Sequence, residues 1–520
     1  MSDRCTRFIL LACIPVVKVT FIARTIALLA VSGYSLSPFN RGSGLIVNNK
    51  KIAIAALITV QCMGASAAIE TFGQALESAL DNNPSLARTY FDFAASRERV
   101  DVVSGQLKPS LDVQAIRGRE DRLTPTNDFG KYNRSDVRFT ATQLLFDGYA
   151  TLDRVKAADF EARRDLQGHI RASENAALEL TRAYLEVALF QRLKDLADRN
   201  YVEHREIRKK IQSRVEQKIE KIGNAEQVEA RLALAEANVL TEAANLHDTK
   251  AELQRITGER IGSDKLPMPI IPPALSGQSR TEVLNSALDQ SPRVRQATEE
   301  MLAVSAQRDA TRGAFFPRID LRYRNEQSSN IEGIRGDFDT EAIELVFNFN
   351  FYRGGSDEAQ RRELNQRYYA ALEARKQACW DTRREVLVAY NEAQVLERQI
   401  AILETQLESQ EVVRVAYDGE YEIGGRTLLD LLDSQNELFD AQRALIRAKT
   451  ELIAARATAL AEAGSLLSAF GVSMTRPDAE EWAWDASLSS AYAVCPDEPT
   501  ESIAVDFDAV YDRVQKSLAQ

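Results

Sequence analysis

Two carboxylates three residues apart, Asp430 and Asp433, close the run Tyr421-Glu422-Ile423-Gly424-Gly425-Arg426-Thr427-Leu428-Leu429-Asp430-Leu431-Leu432-Asp433. On a helix, positions i and i+3 share one face, so both charges point the same way. If several copies converge, such carboxylates ring a narrow opening that attracts cations and repels anions. Thr427 is placed to cap the helix, and Asp430 completes a capping box. A capping box with acidic first-turn residues stabilises any helix N-terminus, so both readings stand at this point. Catalysis finds no footing. The three histidines, His169, His204 and His247, stand alone in helical patterns, which suits packing better than metal ligation. There is no Gly-rich phosphate loop ending in Lys-Ser/Thr, so energy for any transport must come from a partner. No catalytic residue, cofactor site or metal site is assigned.

The elements that must position these residues follow from composition and period. The chain has 520 residues, a net charge of −11, 27% charged residues and 7% aromatics. That is too long for one ordinary domain. It lacks the basic face of a nucleic-acid partner. Its balance of Ala, Leu, Glu, Gln and Arg is that of long helices.

Asn48 to Ala68 reads as a secretory signal: Lys50 and Lys51, the apolar Ile52–Val60, then Ala65-Ser66-Ala67 as a cleavage site. Translation is expected to start near Val47, and the mature chain near Ala68 or Ile69. Cys62 follows bulky Gln61, which disfavours a lipid anchor. Cys379, in a helical pattern, and Cys495, in an acidic tail, imply no disulfide framework.

The chain repeats itself. Ala79-Leu80-Asp81-Asn82-Asn83-Pro84 recurs as Ala287-Leu288-Asp289-Gln290-Ser291-Pro292, an offset of 208, and Gly148, Leu232, Leu246 and Gly258 recur 206 residues on as Gly354, Leu438, Leu452 and Gly464. The expected organisation is an extension plus signal over 1–67, a first repeat over 68–265, a linker over 266–279, a second repeat over 280–470 and an acidic tail over 471–520, with Trp482 and Trp484 in the tail.

Within each repeat a helix entered at Asn83-Pro84 or Ser291-Pro292 is stopped by Pro109 or Pro317. The period then becomes two. Leu111, Val113 and Ala115; Val137, Phe139 and Ala141; Ile319, Leu321 and Tyr323; and Ile343, Leu345, Phe347, Phe349 and Phe351 alternate with polar residues. Strands of about ten residues are long enough to cross a bilayer when tilted. Polar exposed loops are expected over Arg119–Arg134 and Gln327–Asp337. Four strands cannot close a membrane barrel, which needs about eight, and an open sheet cannot cross a bilayer. Membrane insertion therefore demands more than one copy.

A very long helix follows each strand pair, from Thr151 to about Glu216 and from Ser356 to about Tyr417, roughly 100 Å each at about 1.5 Å per residue. The return helices carry heptad rows, Leu431-Leu438-Leu445-Leu452 beside Leu432-Phe439-Ile446-Ile453, and Leu232-Val239-Leu246-Leu253. Adjacent seams suit contact with several neighbours, as in a cylinder of helices.

The tip run, the repeat, the strand pairs and the long helices, over about 70–470, together resemble the TolC-like outer-membrane channels. The resemblance implies an α+β membrane protein. Its four transmembrane β-strands per chain would join in a trimeric, 12-stranded β-barrel continued by a long periplasmic α-helical barrel. It implies Asp430 and Asp433 at the aperture constriction and Tyr421, Arg426 and Glu226 as a gating latch. Gly223, Gly424 and Gly425 would stand at the tip turns. Glu226 stands where the family has Asp. The implied protein is not an enzyme. It is a homotrimer in outer-membrane lipid, extending into the periplasm, served by a periplasmic adaptor and an inner-membrane ABC transporter for type I protein secretion. Expulsion of small molecules with an RND pump is the alternative; a periplasmic coiled-coil scaffold without a pore is the alternative of another class.

Overall fold

A computed structural model describes residues 69–262, 265–271, 280–472, 495 and 505–518. The signal segment and Trp482 and Trp484 lie outside the described residues. Helix α1 (Phe72–Asn82) starts from a Thr71–Gln74 capping box. Helix α2 (Pro84–Ser104) starts at Asn83, whose side chain accepts from the Ser85 N–H, with Pro84 in the first turn. Strands β1 (Ser110–Leu123) and β2 (Asp128–Phe146) come next, then the 67-residue helix α3 (Ala150–Glu216) and α4 (Ile222–Thr257). The order recurs: α5 (Arg280–Gln290), α6 (Pro292–Ala310), β3 (Arg318–Ser329), β4 (Asp337–Asn348), the 67-residue helix α7 (Ser356–Glu422) and α8 (Leu428–Glu462). Short α9 (Leu466–Ala469) and the C-terminal α10 (Phe507–Leu518) complete the described helices.

The strands form one antiparallel sheet in the order β1-β2-β3-β4. Its register pairs Val113 with Phe139, Ala141 with Tyr323 and Leu321 with Leu345. Since side chains alternate between faces, this register gathers the apolar positions on one side. There Val113, Ile343, Leu345 and Phe347 are 73%, 76%, 68% and 64% exposed. The other side carries an alternating charge ladder. Asp136 lies between Arg134 (3.6 Å) and Arg138 (3.5 Å), Arg138 meets Glu326 (2.8 Å), and Arg324 joins Glu326 (3.7 Å) to Glu344 (3.4 Å). A sheet with apolar side chains facing out and paired charges on its reverse suits lipid on one side and water on the other.

Three expectations need correcting here. The first hairpin is longer than its apolar pattern: β1 and β2 run on through Arg119–Arg134 and leave only a short turn around Thr124–Asn127. Cross-strand pairs carry the extension, Tyr132 donating to Glu120 at 2.6 Å and Arg134 to Glu120 at 2.8 Å. Strand β4 stops at Asn348, so Phe349 and Phe351 lie beyond it. Ser356, expected from the sequence to cap helix α7, is instead its first helical residue; Gly355, in a left-handed conformation, is the cap, and Asp357 and Glu358 lie in the first turn as expected.

The turn into α3 shows why glycine stands before each long helix. Gly148 has φ 68°, and an added Cβ would sit 2.7 Å from the Phe316 side chain; both conformation and space exclude a larger residue. The main core gathers where α3 meets the ends of the repeats, with Leu76, Leu180, Tyr184, Val187, Leu253, Leu460 and Leu466 packed together. Two buried polar side chains pin it. Glu174 accepts from the N–H groups of Leu466 and Leu467 at 3.1 and 3.3 Å, and Gln191 accepts from the Leu266 N–H at 2.7 Å.

The absence of a disulfide framework is also corrected: Cys379 and Cys495 are bonded, with Cα atoms 5.7 Å apart. The bond fixes a point of the C-terminal tail onto α7.

Helix contacts run in two rows. Toward the sheet, α2 packs on α3, α3 on α6 and α6 on α7; toward the tips, α4 packs on α3, α3 on α8 and α8 on α7. Helix α7 therefore bounds both rows, and α2 and α4 stand at the opposite edge.

Candidate functional site

The far ends of the two long helices are closed by different turns. Between α7 and α8 the chain reverses at Gly424, φ 79°, whose N–H donates to the Tyr421 carbonyl at 3.1 Å. Gly425 lies 3.4 Å, measured from an added Cβ, from the Glu420 carbonyl oxygen. Between α3 and α4 the left-handed residue is Lys218, φ 61°. Gly223 is therefore not a turn residue: it is the second residue of α4, and the reversal is completed upstream.

The capping box at the start of α8 is complete. Thr427 Oγ1 and the Thr427 N–H both donate to Asp430 Oδ2, at 2.8 and 3.1 Å, and the Asp430 N–H donates back to Thr427 Oγ1 at 3.2 Å. The Thr427 hydroxyl and backbone N–H hold the Asp430 carboxyl below its usual range. Asp433, one turn on, accepts from Arg231 Nη2 of α4 at 2.8 Å.

Tyr421 is 4% exposed and packs with Ile207, Ile211, Val228, Leu428, Leu431 and Leu432. These side chains come from both hairpins, so the two tips share one small core. Its hydroxyl crosses to the facing turn and donates to Glu220 Oε1 at 2.8 Å. Burial, then the bond to Glu220, pushes the phenol up to about 12. Burial would raise the Glu220 carboxyl, but hydrogen bonds from Tyr421 and Asn224 and the Arg214 charge outweigh it and hold it low. Arg214 and Lys210 flank the Tyr421 ring at 5.3 and 5.8 Å. Both also pair with Glu422, Arg214 at 3.8 Å.

Arg426 serves its own hairpin. Its Nε donates to Glu420 at 2.8 Å, and its guanidinium lies 4.2 Å from the Tyr417 ring. Glu226 is exposed; the carboxylate that meets Tyr421 is Glu220. The structure thus joins Tyr421 and Asp433 to the neighbouring hairpin and leaves Arg426 on its own. Glu220, Arg231, Lys210 and Arg214 were not singled out for roles from the sequence. One signal was available. At the 206-residue offset Glu220 aligns with Arg426 and Arg214 with Glu420, so the Arg426–Glu420 pair of one tip recurs, charges exchanged, as Glu220–Arg214 at 3.9 Å in the other.

His204 is buried beside this site at 1% exposure. Burial, with the Arg231 charge, lowers its pKa, so it is neutral near pH 7. No cluster of His, Cys, Asp or Glu able to hold a metal occurs among the described residues.

Comparison with solved structures finds the same fold in the outer membrane protein VceC from Vibrio cholerae, TM-score 0.67 at 17% identity over 76% of this chain and 96% of that one. The Campylobacter jejuni CmeC outer membrane channel gives TM-score 0.67 at 15% identity over 79% and 88%. These likenesses show the fold, strand pairs continued by very long helices. The outer membrane efflux protein family matches residues 75–259 and 283–464, and the chain belongs to that family. Among its relatives, outer membrane efflux protein BepC of Brucella suis is 24% identical over 400 residues, 74% of this chain and 84% of BepC. Protein CyaE of Bordetella pertussis is 24% identical over 273 residues, 51% of this chain and 56% of CyaE.

Proposed function

We propose that three copies of this chain form the passive outer-membrane exit duct of a tripartite export system, and that its cargo is protein exported by a type I route. The sheet carries the proposal. Its apolar face is exposed, its reverse is charged, and β1 and β4 each keep one unpaired edge in a single chain. Lipid tolerates no such edge. Pairing β4 of one copy with β1 of the next satisfies both, and three copies supply twelve strands. The helices support the same ring. Along α7, Val388, Val395 and Ile402 recur every seven residues at 55%, 42% and 55% exposure, and α4 exposes Leu234 and Leu240 at 50% and 72%. These edges suit coiled-coil packing of α7 on the next copy's α4.

At the tips, Asp430 and Asp433 of three copies converge on the constriction. Tyr421–Glu220 and Arg231–Asp433 hold the second hairpin of each chain against the first; opening breaks them. A periplasmic adaptor and an inner-membrane ABC transporter dock there and supply the energy. Type I export is supported by the Gly-Gly-Arg-Thr-Leu-Leu-Asp-Leu-Leu-Asp wording and the bulky Gln61 before Cys62. The longer match to BepC favours a second reading, efflux of small molecules with an inner-membrane pump. A deletion strain separates them. Loss of one or a few large exported proteins with drug tolerance intact supports type I export; an unchanged secretome with raised sensitivity to dyes and detergents supports efflux.

A further inference from the structure

Helix α10 has one apolar face. Phe507, Tyr511, Val514 and Leu518 fall at helical spacing and are 70%, 65%, 47% and 76% exposed. Twelve residues upstream of Phe507, Cys495 is bonded to Cys379 of α7, so α10 reaches at most about 40 Å from that anchor. Helix α7 is the edge of its row, and α2 is the other edge. In a ring, α2 of the next copy lies beside the anchor.

That edge holds an apolar groove of about 740 Å³, lined by Phe72, Leu80, Tyr90, Phe91, His169 and Phe470, with Phe91 66% exposed. Groove and anchor also lie at one level. His169 is about 19 residues, or ~29 Å, along α3 from the strand ends. Cys379 is about 23 residues, or ~35 Å, along α7 from the matching point. The polar face of α10, away from that stripe, carries Arg513 and Lys516. A membrane surface fits less well, because the polar face of α10 also carries Asp508 and Asp512 where surface-bound helices are rich in Lys and Arg.

We propose that α10 is a clasp between copies: tethered by Cys379–Cys495 to its own α7, it seats its apolar stripe in the α1–α2 groove of the next chain. The clasp rests on the ring proposed above. The test places the photo-crosslinker benzoylphenylalanine at Tyr511 of the full chain, irradiated in outer membranes. The expected result is a two-chain band whose crosslink maps to residues 72–91 and falls several-fold in C495S. A crosslink within one chain, a lipid adduct or no adduct overturns the clasp. The native mass of unirradiated protein separates the failures: a trimer lacking the two-chain band sinks the clasp alone, whereas a monomer sinks the ring as well.

Discussion

Arg231 of α4 donates to Asp433 of α8 across 2.8 Å, so one of the two carboxylates proposed to ring the mouth is also a tie between the hairpins of its own chain. Its partner tie, Tyr421 to Glu220, has the same length, 2.8 Å, but a different surrounding. The Arg231 and Asp433 side chains are 30% and 48% exposed; exposed pairs contribute about 0–1 kcal/mol. The Tyr421–Glu220 bond is made from a buried side chain to a charged acceptor, a class worth about 1.5–3 kcal/mol.

The two ties should therefore separate in planar bilayers. Y421F is expected to raise conductance more than D433N. The double variant should exceed both in conductance and, since Asp430 remains, keep a weakened cation preference like that of D433N. Equal conductance in wild type and Y421F would contradict the tie.

Acid should loosen the same contacts. The folded-state pKa values of Glu220 and Asp430 lie below their ordinary values of 4.5 and 3.8. Their stabilisation is present above those values and lost as the pH falls through the lowered ones. Hydrogen exchange at 217–232 and 420–434 should stay protected at pH 5 and rise below pH 4, after correction for intrinsic rates. Loss of protection already between pH 7 and 5 would point to His204 instead.

Glu174 titrates with the opposite sign. Burial pushes its carboxyl up to about 7 against the two N–H groups it accepts from. Its contribution is present below about pH 4.5 and lost as the pH rises through 7. E174Q should thus stabilise the region around α9 at pH 8, by roughly 1–3 kcal/mol, and change it little at pH 4.5. Identical effects at both pH values, read by exchange at Leu466 and Leu467, would refute this.

The two faces of the sheet differ in what they tolerate. I343K places a charge on the apolar face, where lysine near a bilayer midplane costs about 2–4 kcal/mol. T140K lies on the charged face and should be nearly neutral. The check is the yield of folded barrel in outer membranes; equal yields would mean the face assignment is wrong.

Legibility in the sequence follows from how locally each feature is encoded. The heptad rows marked the return helices α4 and α8 because a hydrophobic period is local. The full length of β1 and β2 was hidden because apolar alternation ends near Ala115 while polar pairs such as Glu120–Tyr132 carry the ladder onward. Tyr421 was legible as a contact to the facing turn, but its acceptor was not. Glu220 lies 201 residues away and belongs to a turn set by Lys218, not by Gly223. Cys379 and Cys495, 116 residues apart, carry no spacing signal.

The most direct test of the channel itself is the native mass of the protein extracted from outer membranes in detergent. Three chains per particle, with no soluble periplasmic pool, is the expected result, since three copies pair every β1 edge with a β4 edge. A soluble or monomeric protein would leave both edges open and would contradict the account.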